Sequence, residues 1–326
     1  MKLRTLGKTG LQVSELALGG LFVSSFGGAF EQAREAIHRA FELGINYVDT
    51  APGYLNSEEV LGKVLPEIER PFVLSTKLGG RPQPFDAQDR DALMFSVEES
   101  LRLLNRDSID ILMIHEPDRP GQYDWWSDKT QYLGPVLQVM DDLKRQGVIR
   151  FTGLGGTTAY EMAHIVRSGR FDVVLTAFNY SLLWREAEIA VLPAAIEQGM
   201  GIIVGSPLQQ GALARQYDQV RDGAVWLSPP RQRQMQDLYA LANDLGVKLP
   251  HLALRFVISN PNITCTLTGA RAAWEVEENV AAVEAGPLSK DVLQRLDEIA
   301  AQVPFRPFEE PFGLPFGREY YGPGIA

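Results

Sequence analysis

Phe72-Val73-Leu74-Ser75-Thr76-Lys77, a periodic segment over 89–103, and Ile109-Asp110-Ile111-Leu112-Met113-Ile114-His115 make one repeat of strand, helix and strand, and that repeat decides the fold. The outer runs are short and apolar, while the segment between them carries apolar residues at helical spacing. The alternation extends both ways along the chain. Strands are expected at 16–19, 46–49, 72–76, 109–115, 149–154, 173–176, 201–204 and 263–267. Helical segments fall at 31–43, 89–103, 133–146, 159–168, 187–198 and 231–245, with Gly44, Gly147, Gly199 and Gly246 placed as C-terminal caps.

Strands that alternate with helices pair in parallel, because each crossover carries the chain back to the starting edge. Eight such units close most simply into a (β/α)8 barrel. An open doubly wound sheet is the competing architecture, but it announces itself with Gly-x-Gly-x-x-Gly after its first strand. Gly19-Gly20-Leu21-Phe22-Val23 does not fit that spacing, and neither does Gly153-Leu154-Gly155-Gly156, whose glycines would let the backbone approach a neighbour closely. Ahead of the repeat, Leu3 to Leu6 and Leu11 to Val13 read as a hairpin turned by Lys8-Thr9-Gly10. No linker-like stretch interrupts the repeat before the tail. Residues 1–326 are therefore expected to form one domain, with a hairpin over 1–15 at the amino end of the barrel and a tail over 305–326.

The 326 residues are 45% apolar and 22% charged, near the averages for globular proteins, so a large core is within reach. A formal net charge of -10 with no Lys or Arg cluster argues against nucleic acid as a partner. Cys265 stands alone, which excludes an internal disulfide or a cysteine zinc site and suits a buried strand position in a reducing compartment. The first residues lack the apolar core of a signal peptide, and no run approaches the ~20 apolar residues of a membrane span. The expectation is a cytoplasmic protein with no membrane partner.

Barrel enzymes carry their reactive side chains at the carboxyl ends of strands. Asp49 ends one strand, Lys77 the next and His115 the third, and Tyr54 follows in Asp49-Thr50-Ala51-Pro52-Gly53-Tyr54. The four fit one chemistry. A tyrosine, with its ordinary pKa of about 10, is drawn toward phenolate by a neighbouring ammonium such as Lys77. Asp49 would hold Lys77 charged, and His115 would donate to an oxygen that gains negative charge. Such a group moves protons and lacks a nucleophile, so a nicotinamide cofactor would bring the hydride. Singly, an Asp beside a Lys is as often a structural ion pair, and a lone His is more often structural. The loop over 116–131, with Tyr123, Trp125 and Trp126, lies where a substrate pocket wall belongs. With Phe22 these residues suggest an aromatic pocket that the tail would cover; each ring taken singly is as well explained by loop packing.

The joint pattern resembles the aldo-keto reductase superfamily. The resemblance rests on Leu6-Gly7-Lys8-Thr9-Gly10-Leu11-Gln12-Val13-Ser14, Gly44-Ile45-Asn46-Tyr47-Val48-Asp49-Thr50-Ala51, Ser57-Glu58 and Ser75-Thr76-Lys77, and it covers nearly the whole chain. It implies a catalytic tetrad of Asp49, Tyr54, Lys77 and His115, an NAD or NADP cofactor, and a small carbonyl or sugar substrate. It also implies that Ser206, Leu208, Gln210 and Gly211 wrap the pyrophosphate, while Gly269, Arg271, Glu275 and Asn279 meet the adenosine end, where polar groups at a helix start suit an anion. Many members hold the nicotinamide carboxamide with Ser-Asn. Gly155-Gly156 stands there instead, which passes the task to Thr157 or Asn179. Gly205 replaces a common stacking aromatic, and both changes resemble the branch of sugar dehydrogenases. Gly269 and Glu275 in place of common basic residues favour NAD over NADP. A cofactor-binding regulatory protein, like the potassium-channel β subunits of this fold, is one alternative. A metal-dependent barrel hydrolase is another, although of His38, His115, His164 and His251 only His115 ends a strand.

Overall fold

In the computed structural model, which describes residues 1–307, 310–311 and 313–320, all eight expected strands form and close on one another. A hairpin comes first, β1 (Leu3–Thr5) with β2 (Gln12–Ser14). The barrel strands are β3 (Leu16–Gly19), β4 (Tyr47–Asp49), β5 (Val73–Leu78), β6 (Ile109–His115), β7 (Ile149–Gly156), β8 (Val173–Ala177), β9 (Gly201–Gly205) and β10 (Cys265–Gly269). Neighbours pair in parallel, and β10 closes on β3 with Thr266 opposite Leu16. The helices are α1 (Phe30–Glu42), α2 (Ser57–Val64), α3 (Arg90–Leu104), α4 (Pro135–Arg145), α5 (Ala159–Val166), α6 (Glu186–Ile189), α7 (Val191–Glu197), α8 (Asp218–Asp222), α9 (Pro229–Asp244), α10 (Leu249–Ser259), α11 (Ala273–Glu284) and α12 (Lys290–Ala300). Among the described residues none is long and apolar enough to cross a membrane.

The helix expected over 187–198 is broken at Ala190, which has φ -128° and ψ -71°. Pro193 explains the break, because it has no N–H for the carbonyl of Ile189 and its ring would clash with that carbonyl. The hairpin turn is one residue wider than expected: Gly7–Thr9 forms a 3-10 turn, and Gly10 leaves it with φ 72°.

Side chains alternate along a strand, so every second residue faces the barrel interior. Ala17, Tyr47, Val73, Ile111, Met113, Val173, Leu175, Ile203, Cys265 and Leu267 form that interior cluster, and Leu6 and Val13 of the hairpin segment join it. Leu6 packs so closely on Gly201 that a Cβ there would meet Leu6 Cγ at 2.5 Å. The Lys8 N–H also donates to Gly199 O at 2.8 Å. The hairpin thus seals the amino end of the barrel. At the other end the same alternation, continued by two residues, presents Asp49 after Tyr47, Lys77 after Ser75, and His115 after Met113.

The tail expected over 305–326 includes residues 308, 309, 312 and 321–326, which lie outside the described residues. Its described part is tied down. Arg231 of α9 holds Glu310 in a buried ion pair at 2.6 Å, Phe316 stacks on Tyr217 at 5.1 Å, and the backbone at Gly313 lies on the Gln210 side chain.

Candidate active site

Lys77 is buried on the inward face of β5, and its Nζ donates to Asp49 Oδ2 at 2.7 Å and to Thr50 O at 2.7 Å. The other carboxylate oxygen of Asp49 accepts from Ser75 Oγ at 2.6 Å, and Ser75 in turn meets the buried Tyr47 hydroxyl at 2.9 Å. A buried ion pair holds only when its remaining lone pairs are satisfied, and Ser75 supplies that here. Ser75 was not singled out from the sequence, although its place two residues before Lys77 on one face was the available signal. Tyr54 is brought over this pair by the turn after β4, in which its N–H donates to Ala51 O and Ser57 N–H donates to Tyr54 O. The Lys77 ammonium stands 4.7 Å from the Tyr54 ring centroid, and the His115 ring packs edge-on against Tyr54 at 5.9 Å. All four expected residues therefore meet at one point.

The Ser57-Glu58 pair proves to be scaffolding. Ser57 Oγ donates to Gly20 O and meets Thr50 Oγ1, while Glu58 accepts from Thr76 at 2.6 Å and pairs with Arg81. The start of α2 thereby ties together the ends of β3, β4 and β5.

Burial works to lower Lys77, but Asp49 and Tyr54 outweigh it and hold the ammonium above its ordinary value. Burial pushes the Tyr54 phenol above its ordinary 10, with the Lys77 ammonium opposing. The expected pull from Lys77 is present, yet it is the smaller force, so the group stands as a phenol. Burial and the Lys77 charge lower His115 to about 3, so it faces the site as a neutral imidazole.

The aromatic loop divides. Tyr123 and Trp125 pack at 5.6 Å, with Phe85 against both, and a Cβ on Gly79 would meet Tyr123, Trp125 and His115 within 3.5 Å. Tyr123 and Trp125 thus adjoin His115, and Phe85 was missed. Trp125 is fully buried and donates from Nε1 to His115 O at 3.0 Å, fixing the strand end. Trp126 donates to Pro117 O and packs on Tyr132, so it pins the loop to the core. Phe22, expected with the pocket aromatics, covers Gly269 instead, where a Cβ would fall 2.1 Å from its ring, and takes the Arg271 guanidinium at 5.1 Å.

The profile of the Aldo/keto reductase family matches residues 16–301, from the first barrel strand to the last helix. The chain belongs to the Aldo/keto reductase family. An L-galactose dehydrogenase of Arabidopsis thaliana is 30% identical over 316 residues, covering 93% of this chain and 95% of that protein. A probable voltage-gated potassium channel subunit beta of the same plant is 27% identical over 94% of this chain and 99% of its own length. Among solved structures, the holo form of aldo-keto reductase AKR11C1 from Bacillus halodurans matches with a TM-score of 0.77 and 27% identity, over 94% of this chain and 98% of that one. Aldo-keto reductases are oxidoreductases that use NAD(P)H. His38, His164 and His251, the ligands a metal-dependent hydrolase would need, lie instead on the helices α1, α5 and α10 of this aldo-keto reductase.

The residues expected to hold the cofactor in an aldo-keto reductase line the rim from β7 round to α11. Gly155 lies beside Lys77, whose Cε a Cβ would approach to 3.5 Å, and Gly205 faces Leu175 and Ala177. Thr157 and Asn179 do come together: Asn179 Nδ2 donates to Thr157 O at 2.9 Å. Asp118, unremarked in the sequence, receives the Thr157 and Thr158 N–H groups, and Glu116, also unremarked, receives the Thr157 hydroxyl at 2.8 Å. After β9, Ser206, Gln209 and Gln210 all have positive φ, which curls the backbone of 206–211 around Leu208 and Gly211 into a concave turn suited to a pyrophosphate. Gln209, another residue the sequence did not flag, ties this turn to the β8 loop through Phe178 O and Ser181 Oγ. At the α11 end, Glu275 accepts the Arg271 N–H at 2.6 Å, and Asn279 is half-buried one turn further on. A cradle of small residues beside Lys77 and a curled backbone beyond it fit a nicotinamide dinucleotide.

Proposed function

We propose that this aldo-keto reductase interconverts a carbonyl and an alcohol on a small polar substrate, a sugar or another aldehyde or ketone, in the cytoplasm, with Tyr54 as general acid and base. Gly155, Thr157 and Asn179 would hold the nicotinamide ring, which would supply or accept the hydride when bound. Tyr54 delivers a proton to the substrate oxygen during reduction and takes it back during oxidation. Lys77, kept charged by Asp49, stabilises the phenolate left behind, and the neutral His115 donates a hydrogen bond to the same oxygen. The observation that carries this reading is the buried Lys77 and Asp49 pair at 2.7 Å under the Tyr54 ring. A regulatory role, favoured by the potassium-channel relative, would not by itself require that buried charge beneath a proton donor.

NAD is the preferred cofactor. A 2′-phosphate asks for convergent cations, yet Glu275 brings a carboxylate to the Arg271 backbone and Phe22 covers Gly269. Turnover of aldehydes with each reduced cofactor, and of sugars with each oxidised one, tests both statements. Tyr54→Phe should bind cofactor normally and lose about 10² to 10⁴-fold in rate. Lys77→Met should do likewise, and the double variant should cost far less than the product of the two, because the groups act as a unit. A Tyr54→Phe enzyme that keeps more than about a tenth of its turnover overturns the proton relay. NADP(H) turnover about a hundredfold above NAD(H), some 2.7 kcal/mol, overturns the cofactor preference.

A further inference from the structure

The residue after His115 carries a carboxylate that the proton relay does not use. Glu116 has φ 52°, a region side chains rarely adopt, and is held there by its N–H donating to Gly155 O at 2.7 Å and by the Arg119 N–H donating to Glu116 O. Strain of this kind persists only where its surroundings enforce it, and it gathers at functional sites. The Glu116 side chain is 13% exposed; its Oε2 accepts the Thr157 hydroxyl at 2.8 Å, and Arg119 Nη1 forms an ion pair with the same oxygen at 3.9 Å, too long for a hydrogen bond. Burial raises the Glu116 carboxyl, and burial also raises the Tyr54 and Tyr123 phenols, to which the Glu116 charge adds. A carboxylate offers about four lone-pair sites, and Thr157 takes one.

We propose that Glu116 is a specificity-determining residue whose carboxylate, oriented by Thr157, accepts a hydrogen bond from a hydroxyl on the carbons beside the reacting carbonyl. The inference rests on the oxidoreductase reading above and deepens it. The rings of Tyr123 and Trp125 offer an aldehyde apolar contact, which discriminates weakly. A part-buried carboxylate left without its partner hydroxyl discriminates strongly, because its desolvation is uncompensated. Hydroxylated aldehydes are therefore preferred over plain ones.

The test uses the full-length enzyme with glyceraldehyde and propanal, which differ only in hydroxyl groups. In Glu116→Gln, kcat/KM for glyceraldehyde should fall about 10 to 100-fold, mostly through KM, the range for hydrogen bonds to a charged group. Propanal reduction and the NAD(H) dissociation constant, read by fluorescence, should stay within about twofold, the scatter of a near-neutral change. Glu116→Asp, which keeps the charge and shortens its reach, should shift the same ratio less. Equal losses on both aldehydes, no loss on either, or weakened cofactor binding would each overturn the proposal, the last by assigning Glu116 to the nicotinamide carboxamide. Wild-type enzyme that reduces neither aldehyde, or Tyr54→Phe that reduces propanal undiminished, would instead sink the oxidoreductase reading and the inference with it.

Discussion

Burial and the Lys77 ammonium hold His115 at about 3, so between pH 5 and 8, the span in which histidines ordinarily titrate, its ring keeps one N–H and no charge. The kcat/KM for carbonyl reduction should then show no inflection near 6.5, the usual histidine value. A bell with a limb there that disappears in His115→Asn would show the imidazole titrating and contradict the neutral-donor role. Under the proposed proton relay, Tyr54 sets the alkaline limb. Its phenol is raised by burial, and reduction needs the protonated form, so reduction persists through neutrality and declines only as pH climbs through the phenol's elevated value. Oxidation needs the phenolate and should gain over the same interval. Both alkaline limbs should be missing in Tyr54→Phe.

At the scale of one element, the end of β7 makes adjacent glycines unequal. A Cβ on Gly155 meets Lys77 Cε at 3.5 Å, ordinary contact, whereas one on Gly156 strikes Met162 Sδ at 2.4 Å and Asp118 Oδ1 at 2.5 Å. Gly155→Ala should fold with unchanged melting temperature. Gly156→Ala should lose about 1 to 3 kcal/mol, the usual cost of overpacking. Equal melting temperatures for the two would contradict this placement. The strand ends themselves were legible because a buried strand reads as an apolar run, and alternation then selects Asp49, Lys77 and His115. Tyr54 sits on the turn after β4, where alternation does not reach, and it was drawn in by its place five residues past Asp49 and by the chemistry of a phenol beside Lys77, before the family resemblance supported it. Glu116 escaped notice because its positive φ is invisible in a sequence. Phe22 was placed among the pocket aromatics because its contacts with Gly269 and Arg271 join opposite ends of the chain, which periodicity does not report. Trp126 looked like Trp125 in composition, and only the fold shows which of the neighbours adjoins His115.

The whole molecule is held by one ring of strands, in which β3 and β10, the first and last of the barrel, are neighbours. Any cut of the barrel into two parts leaves four unpaired strand edges, so we propose that the chain behaves as a single domain. Limited proteolysis should nick surface loops, such as 116–131, without releasing a fragment that folds alone, and a stable half-sized product would contradict this. The closure also has a consequence for synthesis. Leu16 waits for Thr266, which leaves the ribosome 250 residues later. At about 5 to 20 residues per second, β3 carries an unpaired edge for roughly 10 to 50 s. A nascent chain of this protein therefore exposes a strand-pairing surface for most of its own translation, and a chaperone that shields such edges has its longest opportunity here, before the last strand arrives.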